Sequence, residues 1–233
     1  MTTRKDIQAL RDEAEQSASL GNFEEAARLF DLALSAAGDG EIDDDRDLLI
    51  GLLLSSATAY GVARGSTESV GQLVEQRCRR ALEIIGLQST HNNAREAEVR
   101  HRLAMTIYEG GRQEEALVEW LEAAQLARSA PDNLRQRSWV LRGLVPLVLD
   151  LRRFEEALPL AEEAIWLNEQ IETNANQRTF DRIFRASALI GLGRKADAAA
   201  VLHETIEERR RLGKANDRLL TEAERLLTLA LEA

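Results

Sequence analysis

The sequence predicts an all-α fold built from stacked pairs of antiparallel helices, and three observations support this prediction. Ala, Leu, Glu and Arg dominate the chain, whereas aromatic residues make up only 4% of it and proline occurs three times. This composition favours helices over strands. No run of alternating apolar and polar residues indicates a half-buried strand. The third observation is a segment that recurs along the chain, which predicts a repeat architecture.

Four copies of this segment share a turn residue and apolar residues at fixed offsets. Ala lies five residues after the turn residue, an apolar residue follows four positions later, and Ala or Thr follows three beyond that. From the second copy onward the copies are 41 residues apart. The copies are GNFEEAARLFDLAL from Gly21, GRQEEALVEWLEAA from Gly111, RRFEEALPLAEEAI from Arg152 and GRKADAAAVLHETI from Gly193.

Each shared position has a structural reason. Gly at the turn adopts the left-handed conformation at low cost, and a small Ala lets two helices approach closely. In the first copy we expect Asn22 to cap the next helix, with Glu25 as its capping-box partner. An apolar-periodic stretch precedes each turn, so the unit is helix, turn, helix. In one such stretch, 138–151, Pro146 either kinks the helix or marks a shorter one.

The elements follow in order along the chain. We expect one domain over residues 1–233, with a second pair that is irregular because its turn near Gly65 carries extra residues. The expected helix pairs lie at about 4–36, 45–87, 93–128, 133–172 and 176–211, followed by a helix at 217–231. An apolar stripe on that last helix suits a cap on the open end of a solenoid. The alternative is that the stripe forms a homodimer contact. The stripe consists of Leu219, Leu220, Ala223, Leu226, Leu227 and Ala230.

The repeated unit resembles the tetratricopeptide repeat (TPR) family. The match is fullest in the third unit, at Leu103, Ala104, Tyr108, Gly111, Ala116, Trp120 and Ala123. The period of 41 residues and the scarcity of proline at the end of the unit are more similar to the longer repeats of kinesin light chains and bacterial regulatory proteins. The resemblance implies a right-handed superhelical solenoid in which the first helix of each pair lines a concave groove that binds a protein or peptide.

The groove-facing offsets of that family give candidate binding residues. Trp139 and Phe180 occupy the same offset in adjacent units, and Arg102 lies one offset from Arg142. The candidates are His101, Arg102, Met105, Trp139, Arg142, Phe180, Ile183 and Phe184. Less distinctive positions are Gln8, Arg11, Asp12, Glu15, Glu98, Pro146 and Ser187, and Arg95 and Arg135 extend the basic line. Aromatic residues and Arg are common interface anchors, so this set suits an acidic, partly apolar partner.

Two alternatives limit this assignment. The aromatic residues could instead pack between units, and the arginines could pair with nearby acids. Some members of the family hold a C-terminal carboxylate with a Lys/Asn clamp. The Asn positions of that clamp are here Glu15, Met105 and Ser187, so we do not expect binding of chaperone tails.

Composition excludes several classes of function. The net charge of −10 and pI of about 5.0 argue against a general binder of nucleic acid or of anionic membranes. Cys78 is the only cysteine, which precludes an internal disulfide and fits a cytoplasmic protein. The N-terminal residues do not resemble a signal peptide, and no apolar run approaches the roughly 20 residues of a membrane span.

Motifs that would carry catalysis or a cofactor are incomplete. The segment GDGEIDDD at 38–45 resembles part of an EF-hand loop but lacks three ligand positions. GLGRKA at 191–196 lacks the upstream Gly and the final Ser or Thr of a P-loop. His91, His101 and His203 have no metal-binding spacing, and Cys78 is expected to be buried. We therefore expect no catalytic residues, no cofactor and no metal.

These observations predict a non-enzymatic scaffold or adaptor that binds a protein or peptide. One alternative is a regulatory protein that senses a peptide and changes shape when it binds. A second is a scaffold that assembles with itself, as a homodimer through the terminal helices.

Overall fold

The computed structural model describes residues 3–38, 46–64, 67–88, 92–130, 133–171, 173–213 and 217–232. All regular secondary structure in these ranges is helical, which confirms the all-α prediction. The helices are α1 (Arg4–Ser19), α2 (Phe23–Ala37), α3 (Arg46–Arg64), α4 (Glu68–Gly86), α5 (Asn93–Glu109), α6 (Gln113–Arg128), α7 (Leu134–Asp150), α8 (Phe154–Gln170), α9 (Ala175–Gly191), α10 (Lys195–Arg211) and α11 (Arg218–Leu231).

The chain divides into two compact units, residues 1–126 and 127–233, here called unit 1 and unit 2. Helices α1 to α10 form consecutive pairs, and α11 follows alone, so each helix pair lies where the repeat pattern places it. The assignment of all 233 residues to one domain remains a prediction.

The turns inside four of the pairs have the expected left-handed residue. The φ angles are 82° at Gly21, 78° at Gly111, 58° at Arg152 and 73° at Gly193. The repeated turn position is therefore defined by its backbone conformation, which Gly adopts readily and which Arg152 adopts despite its Cβ.

The expected capping box at Asn22 is wrong. The Asn22 side chain makes no capping hydrogen bond, and Glu25 instead forms an ion pair with Arg28. Asn22 has ψ of 63°, whereas helix-capping residues usually have extended backbone that directs the side chain to the helix. Tight turns of this kind join the first and second helices in four of the pairs.

Side-chain caps are found instead at the start of the first helices. The side-chain oxygens of Asn92, Asn133 and Asn174 accept hydrogen bonds from backbone N–H groups in the first turns of α5, α7 and α9. These asparagines recur every 41 residues. These three repeats therefore begin with an N-cap that satisfies a free backbone donor.

The repeated small residue lies at the centre of each pair. Ala26, Ala116, Ala157 and Ala198 are all completely buried. The next apolar position of the repeat is buried as well, whether it holds Phe30, Trp120, Ala161 or Leu202. These residues are conserved between the copies because of packing, so they are not candidates for partner contact.

In unit 2, the first helices of the pairs lie side by side. Consecutive helices from α7 to α11 contact one another, and in addition α7 contacts α9 and α9 contacts α11. The apolar stripe of α11 packs on this arrangement: Leu220, Ala223, Leu226 and Ala230 are buried in a cluster with Ile183 of α9 and residues of α10. The stripe is therefore used inside the chain, as expected for a cap.

Pro146 lies inside a continuous helix. Helix α7 runs from Leu134 to Asp150, so the alternative of a shorter helix is wrong. Proline lacks an N–H, so it cannot donate to the carbonyl four residues earlier, which belongs to Arg142. The helix is maintained by the buried residues around the proline, among them Leu144, Val145 and Leu147.

Candidate functional site

The first helices of unit 2 enclose an open pocket of about 750 Å³. This volume lies in the range of about 300–1,000 Å³ that is typical of ligand pockets. Its walls come from α7, α9 and α11, with one residue from the start of α8, and most of the side chains are apolar. The apolar ones are Pro146, Leu149, Phe154, Phe180, Ile183, Phe184 and Leu219, and the polar ones are Asp150, Ser187, Arg218, Thr221 and Glu222.

Two aromatic side chains of α9 stand together in this pocket. The ring centroids of Phe180 and Phe184 are 6.2 Å apart, which is the spacing of a stabilising aromatic pair. Phe180 leaves 42% of its surface exposed, and Ile183 between them is buried. The structure therefore brings three of the predicted binding residues, Phe180, Ile183 and Phe184, to one pocket.

A chain of buried polar side chains lies behind the same helices. Ser138 donates a hydrogen bond to the Asn168 Oδ1 atom at 2.7 Å, and the Asn168 amide donates to Asp181 at 2.5 Å. The Gln177 amide donates to the other Asp181 oxygen at 3.1 Å. Arg142 completes the chain by donating to the Gln177 Oε1 atom at 3.2 Å. This polar relay connects α7, α8 and α9.

The carboxyl group of Asp181 is the buried centre of the relay, with a side chain only 1% exposed. Burial raises the pKa of Asp181, although the hydrogen bonds from Asn168 and Gln177 and the charges of Arg142 and Arg182 oppose this increase. The relay therefore contains a carboxylate that depends on its neighbours to remain ionised.

Arg218 lines the pocket, and Arg142 lies four residues before the lining residue Pro146 on α7. In the described part of unit 2, no carboxylate lies within ion-pairing distance of either guanidinium. By contrast, Arg137 pairs with Glu163, and Arg178 and Arg182 pair with Glu208. Arg142 is exposed and is held by a neutral amide. It is therefore available to a negatively charged group.

A second pocket, of about 730 Å³, lies in unit 1 between α3, α4 and α5. It contains two further predicted residues, Arg102 and Met105. Three glutamates also line it, of which Glu75 is shared by Arg79 and Arg112. With Arg102 and Arg112 also in its lining, this pocket has one more acid than arginine, as does the pocket of unit 2 with Asp150, Glu222 and Arg218. The pocket of unit 2 differs in its exposed aromatic residue, Phe180.

His101 is a core residue in this structure. Its side chain is 2% exposed, and its Nδ1 atom accepts a hydrogen bond from the Trp120 Nε1–H at 3.1 Å. His101 therefore does not lie on the groove surface, where the repeat offsets predicted it. Its side chain points towards α6 instead. Trp139 is half-buried on α7 and does not line the unit 2 pocket.

The less distinctive candidates are mostly occupied by local interactions. Arg11 pairs with Glu15 and Arg95 with Glu98, each within one helix turn. Gln8 donates to Asp12, and Ser187 donates to the carbonyl of Ile183. Exposed pairs of this kind contribute at most about 1 kcal/mol each, so they stabilise helices only weakly.

Sequence reasoning missed Phe154, Leu219 and Arg218 as pocket residues. Phe154 lies at the start of a second helix, where the repeat pattern assigns a packing role. Leu219 and Arg218 lie on α11, which the sequence identifies only as a cap. The contact between α9 and α11 brings Arg218 and Leu219 to the pocket. No local signal in the sequence indicates that contact.

The described residues contain no cluster of three or more His, Cys, Asp or Glu side chains that could hold a metal ion. Cys78 is buried, and burial raises the pKa of its thiol to about 12, which disfavours the reactive thiolate. Lys195 of the GLGRKA segment donates to the backbone of Glu232 at 2.7 Å. The EF-hand-like residues 39–45 and His91 lie outside the described residues.

None of the described helices is both long and apolar enough to span a bilayer.

Comparison with known proteins identifies the fold. No model of a protein family matches the sequence, and no curated protein matches it. Among solved structures, BtubC (BKLC) from P. vanneervenii is 18% identical with a TM-score of 0.72, covering 90% of this chain and 82% of that one.

Two further structures show the same repeat type. The TPR-like repeats of a putative kinesin light chain from Podosopora anserina are 14% identical with a TM-score of 0.68, covering 90% of this chain and 97% of that one. YrrB, described as a TPR protein with an unusual peptide-binding site, is 14% identical with a TM-score of 0.61, covering 96% and 94%. The chain therefore has the helical repeat fold of the tetratricopeptide type, including the kinesin-light-chain variety that its repeats resemble.

Proposed function

We propose that the chain is a non-enzymatic adaptor that binds a protein or peptide segment in the pocket between α7, α9 and α11. The observation that carries this proposal is the exposed aromatic surface of the pocket. Phe180 is 42% exposed and lies beside Phe184 in a mostly apolar, open cavity. Exposed aromatic side chains in a concave apolar site are typical anchors for a partner.

The fold supports a partner that is a protein or peptide. YrrB is a TPR protein with an unusual peptide-binding site, and its structural match covers 96% of this chain. The pocket of unit 2 lies on the first helices of the pairs, which is the face expected to bind in a repeat of this type. Function is not fixed by fold, so the proposal depends on this pocket.

We further propose that the partner segment is acidic and partly apolar. Apolar side chains would fill the pocket beside Phe180 and Phe184. Arg142 and Arg218 supply positive charge that no carboxylate in the described part of unit 2 neutralises by direct contact. Electrostatic complementarity of this kind favours acidic partners and increases the rate of association.

A selection from random peptides tests this proposal. A display library of peptides of about twelve residues, about 40 Å when extended, is selected on the full chain. We expect enriched peptides that combine an aromatic or large aliphatic residue with Asp or Glu. Failure to enrich any peptide, or enrichment of basic peptides, would contradict the proposed function.

The same peptides separate the adaptor from the alternative of a shape-changing sensor. Small-angle scattering of the chain with and without a bound peptide measures its radius of gyration. An unchanged radius is expected for the adaptor, whereas a change on binding would favour the sensor.

A further inference from the structure

We propose that Arg142 is the receptor for a carboxylate of the bound segment, and that the buried residues Asp181 and Gln177 hold it in position. This inference rests on the proposed function and assigns its acidic specificity to one residue. Arg142 is thereby a specificity-determining residue, and Asp181 and Gln177 are positioning residues.

The hydrogen bonds of the relay fix the direction of each group. A carboxylate only accepts hydrogen bonds, so the Gln177 side chain must turn its NH₂ group towards Asp181. Its carbonyl oxygen then faces Arg142 and accepts from that guanidinium at 3.2 Å. Asp181 therefore determines which end of the Gln177 amide Arg142 meets.

The other side of Asp181 is fixed in the same way. Its second oxygen accepts from the Asn168 amide, and the Asn168 carbonyl accepts from Ser138. Both oxygens of the buried carboxylate are thus occupied by neutral amides. No hydrogen bond connects the carboxylate directly to Arg142, so the guanidinium keeps donors that point away from the relay.

The contrast with neighbouring arginines indicates what Arg142 is suited for. Glu163 takes hydrogen bonds from both Arg128 and Arg137. Burial raises the pKa of Glu163, but these hydrogen bonds outweigh that effect and leave the pKa below its ordinary value. Arg142 has only the amide of Gln177, which orients a guanidinium without satisfying its charge. A bidentate carboxylate is the ligand that matches this fork of donors.

Arg142 and Gln177 do not line the pocket themselves, but each lies about one helical turn from a residue that does, and this spacing defines the ligand further. On α7, Arg142 precedes the pocket residue Pro146 by four residues, and on α9, Gln177 precedes the pocket residue Phe180 by three. One helical turn rises about 5.4 Å. An extended peptide advances about 3.4 Å per residue. The geometry therefore points to an Asp or Glu one to three residues from the apolar side chain that enters the pocket.

A double-mutant cycle tests the role of Arg142. The probes are the tightest acidic peptide from the selection and its analogue with every Asp changed to Asn and every Glu to Gln. We expect the full chain to bind the acidic peptide at least about tenfold more tightly than its neutral analogue. A hydrogen bond to a charged group changes affinity by about this factor or more. Arg142→Gln is expected to reduce this preference to about twofold or less. An undiminished preference in that variant overturns the assignment.

Two variants test the relay. Gln177→Met keeps the size of the side chain but removes the acceptor for Arg142. Asp181→Leu introduces a side chain that is similar in size to Asp and has no hydrogen-bonding group, so it removes the acceptor that orients Gln177. Each is expected to lower the preference for the acidic peptide at least about threefold. Loss of structure alone would weaken both peptides equally and leave their ratio unchanged, so an unchanged ratio in both variants overturns the positioning role. If Asp181→Leu does not fold, Gln177→Met decides.

A matched control and a separate readout complete the design. Arg137 lies on the same helix as Arg142 but is paired with Glu163, so Arg137→Gln is the matched control and is expected to change the preference less than about twofold. Arg218 lines the pocket but is not held by the relay, so Arg218→Gln is expected to reduce the preference by a smaller factor than Arg142→Gln does. A larger loss there than in Arg142→Gln would transfer the receptor role to α11 and overturn the inference. The neutral analogue binds only through the apolar pocket. Loss of its binding in Phe180→Ala therefore supports the proposed function, even if the preference for the acidic peptide does not depend on Arg142. Selected peptides without any acid would overturn both this inference and the proposed acidity of the partner, but would leave binding in the apolar pocket intact.

Discussion

Arg152 occupies the turn position that Gly111 occupies 41 residues earlier, and both have left-handed backbone, with φ of 58° and 78°. The repeat therefore retains its turn geometry after losing the residue that adopts it most easily. A left-handed conformation costs a residue with a Cβ roughly 1–2 kcal/mol, so the fold holds Arg152 in this conformation against a local preference.

Exchange of these two residues is expected to change stability in opposite directions. Arg152→Gly should raise the free energy of unfolding by about 0.5–1 kcal/mol, because relief of strain exceeds the added entropy of the unfolded chain. Gly111→Arg should lower it by about 1 kcal/mol. A Cβ on Gly111 would meet no atom within 4 Å, so the effect is one of backbone conformation. Urea unfolding followed by circular dichroism measures both changes, and a destabilised Arg152→Gly would contradict this explanation.

Gly191 is required by the ring of Phe154. A Cβ built on Gly191 would overlap that ring. Although Ala in a helix is usually about 1 kcal/mol better than Gly, we expect Gly191→Ala to lower the free energy of unfolding by about 1–2 kcal/mol. Gly51 of α3 is the control, because a Cβ there meets nothing within 4 Å. Gly51→Ala should be neutral or stabilising, and equal effects of the two substitutions in thermal unfolding would refute the steric account.

Arg209 is completely buried, and its guanidinium forms an ion pair with Asp217, the N-cap of α11. Asp217→Ala removes the cap and leaves a buried charge with one fewer partner. We expect a loss of about 3–5 kcal/mol in the free energy of unfolding. The exposed pair of Arg210 and Glu224 is the matched control, and Glu224→Ala should cost less than about 1 kcal/mol. Similar losses in chemical denaturation would show that burial of the pair is unimportant.

Asp181 gives stability a pH dependence of unusual sign. Its pKa in the folded chain is raised by burial above the ordinary value of 3.8. Between the pKa of the unfolded chain and the higher pKa of the folded chain, the folded state binds more protons than the unfolded state. The stability that Asp181 contributes therefore falls as pH rises. The difference in free energy of unfolding between the wild type and Asp181→Asn should decrease as the pH rises above about 4. An increase would mean that the carboxylate is stabilised more than it is desolvated.

The helix pairs could be predicted because their signals are local. Turn residues, small residues and apolar residues recur at fixed offsets, and each acts on helices adjacent in sequence. The N-cap asparagines were present as a signal as well, since Asn92, Asn133 and Asn174 are 41 residues apart. The cap predicted at Asn22 was wrong because the tight turn gives that residue a ψ of 63° instead of the extended backbone of a capping residue.

The candidate site could be predicted only in part. Phe180 and Phe184 lie on one face of one helix, so helical periodicity brings them together. The relay joins residues as far apart as Arg142 and Gln177, or Ser138 and Asn168, on different helices. Such contacts follow from how the helices pack, for which the repeat pattern contains no information. His101 shows the same limitation, since its hydrogen bond to Trp120 crosses between helices.

The affinity of a selected peptide for two alanine variants tests the central claim most directly. Phe180 on α9 and Trp166 on α8 are aromatic residues of similar exposure, 42% and 49%, but only Phe180 lines the pocket. Fluorescence anisotropy with a labelled peptide should show at least about a tenfold loss of affinity in Phe180→Ala and less than about twofold in Trp166→Ala. Equal affinities in the two variants, or a larger loss in Trp166→Ala, would contradict binding in the pocket between α7, α9 and α11.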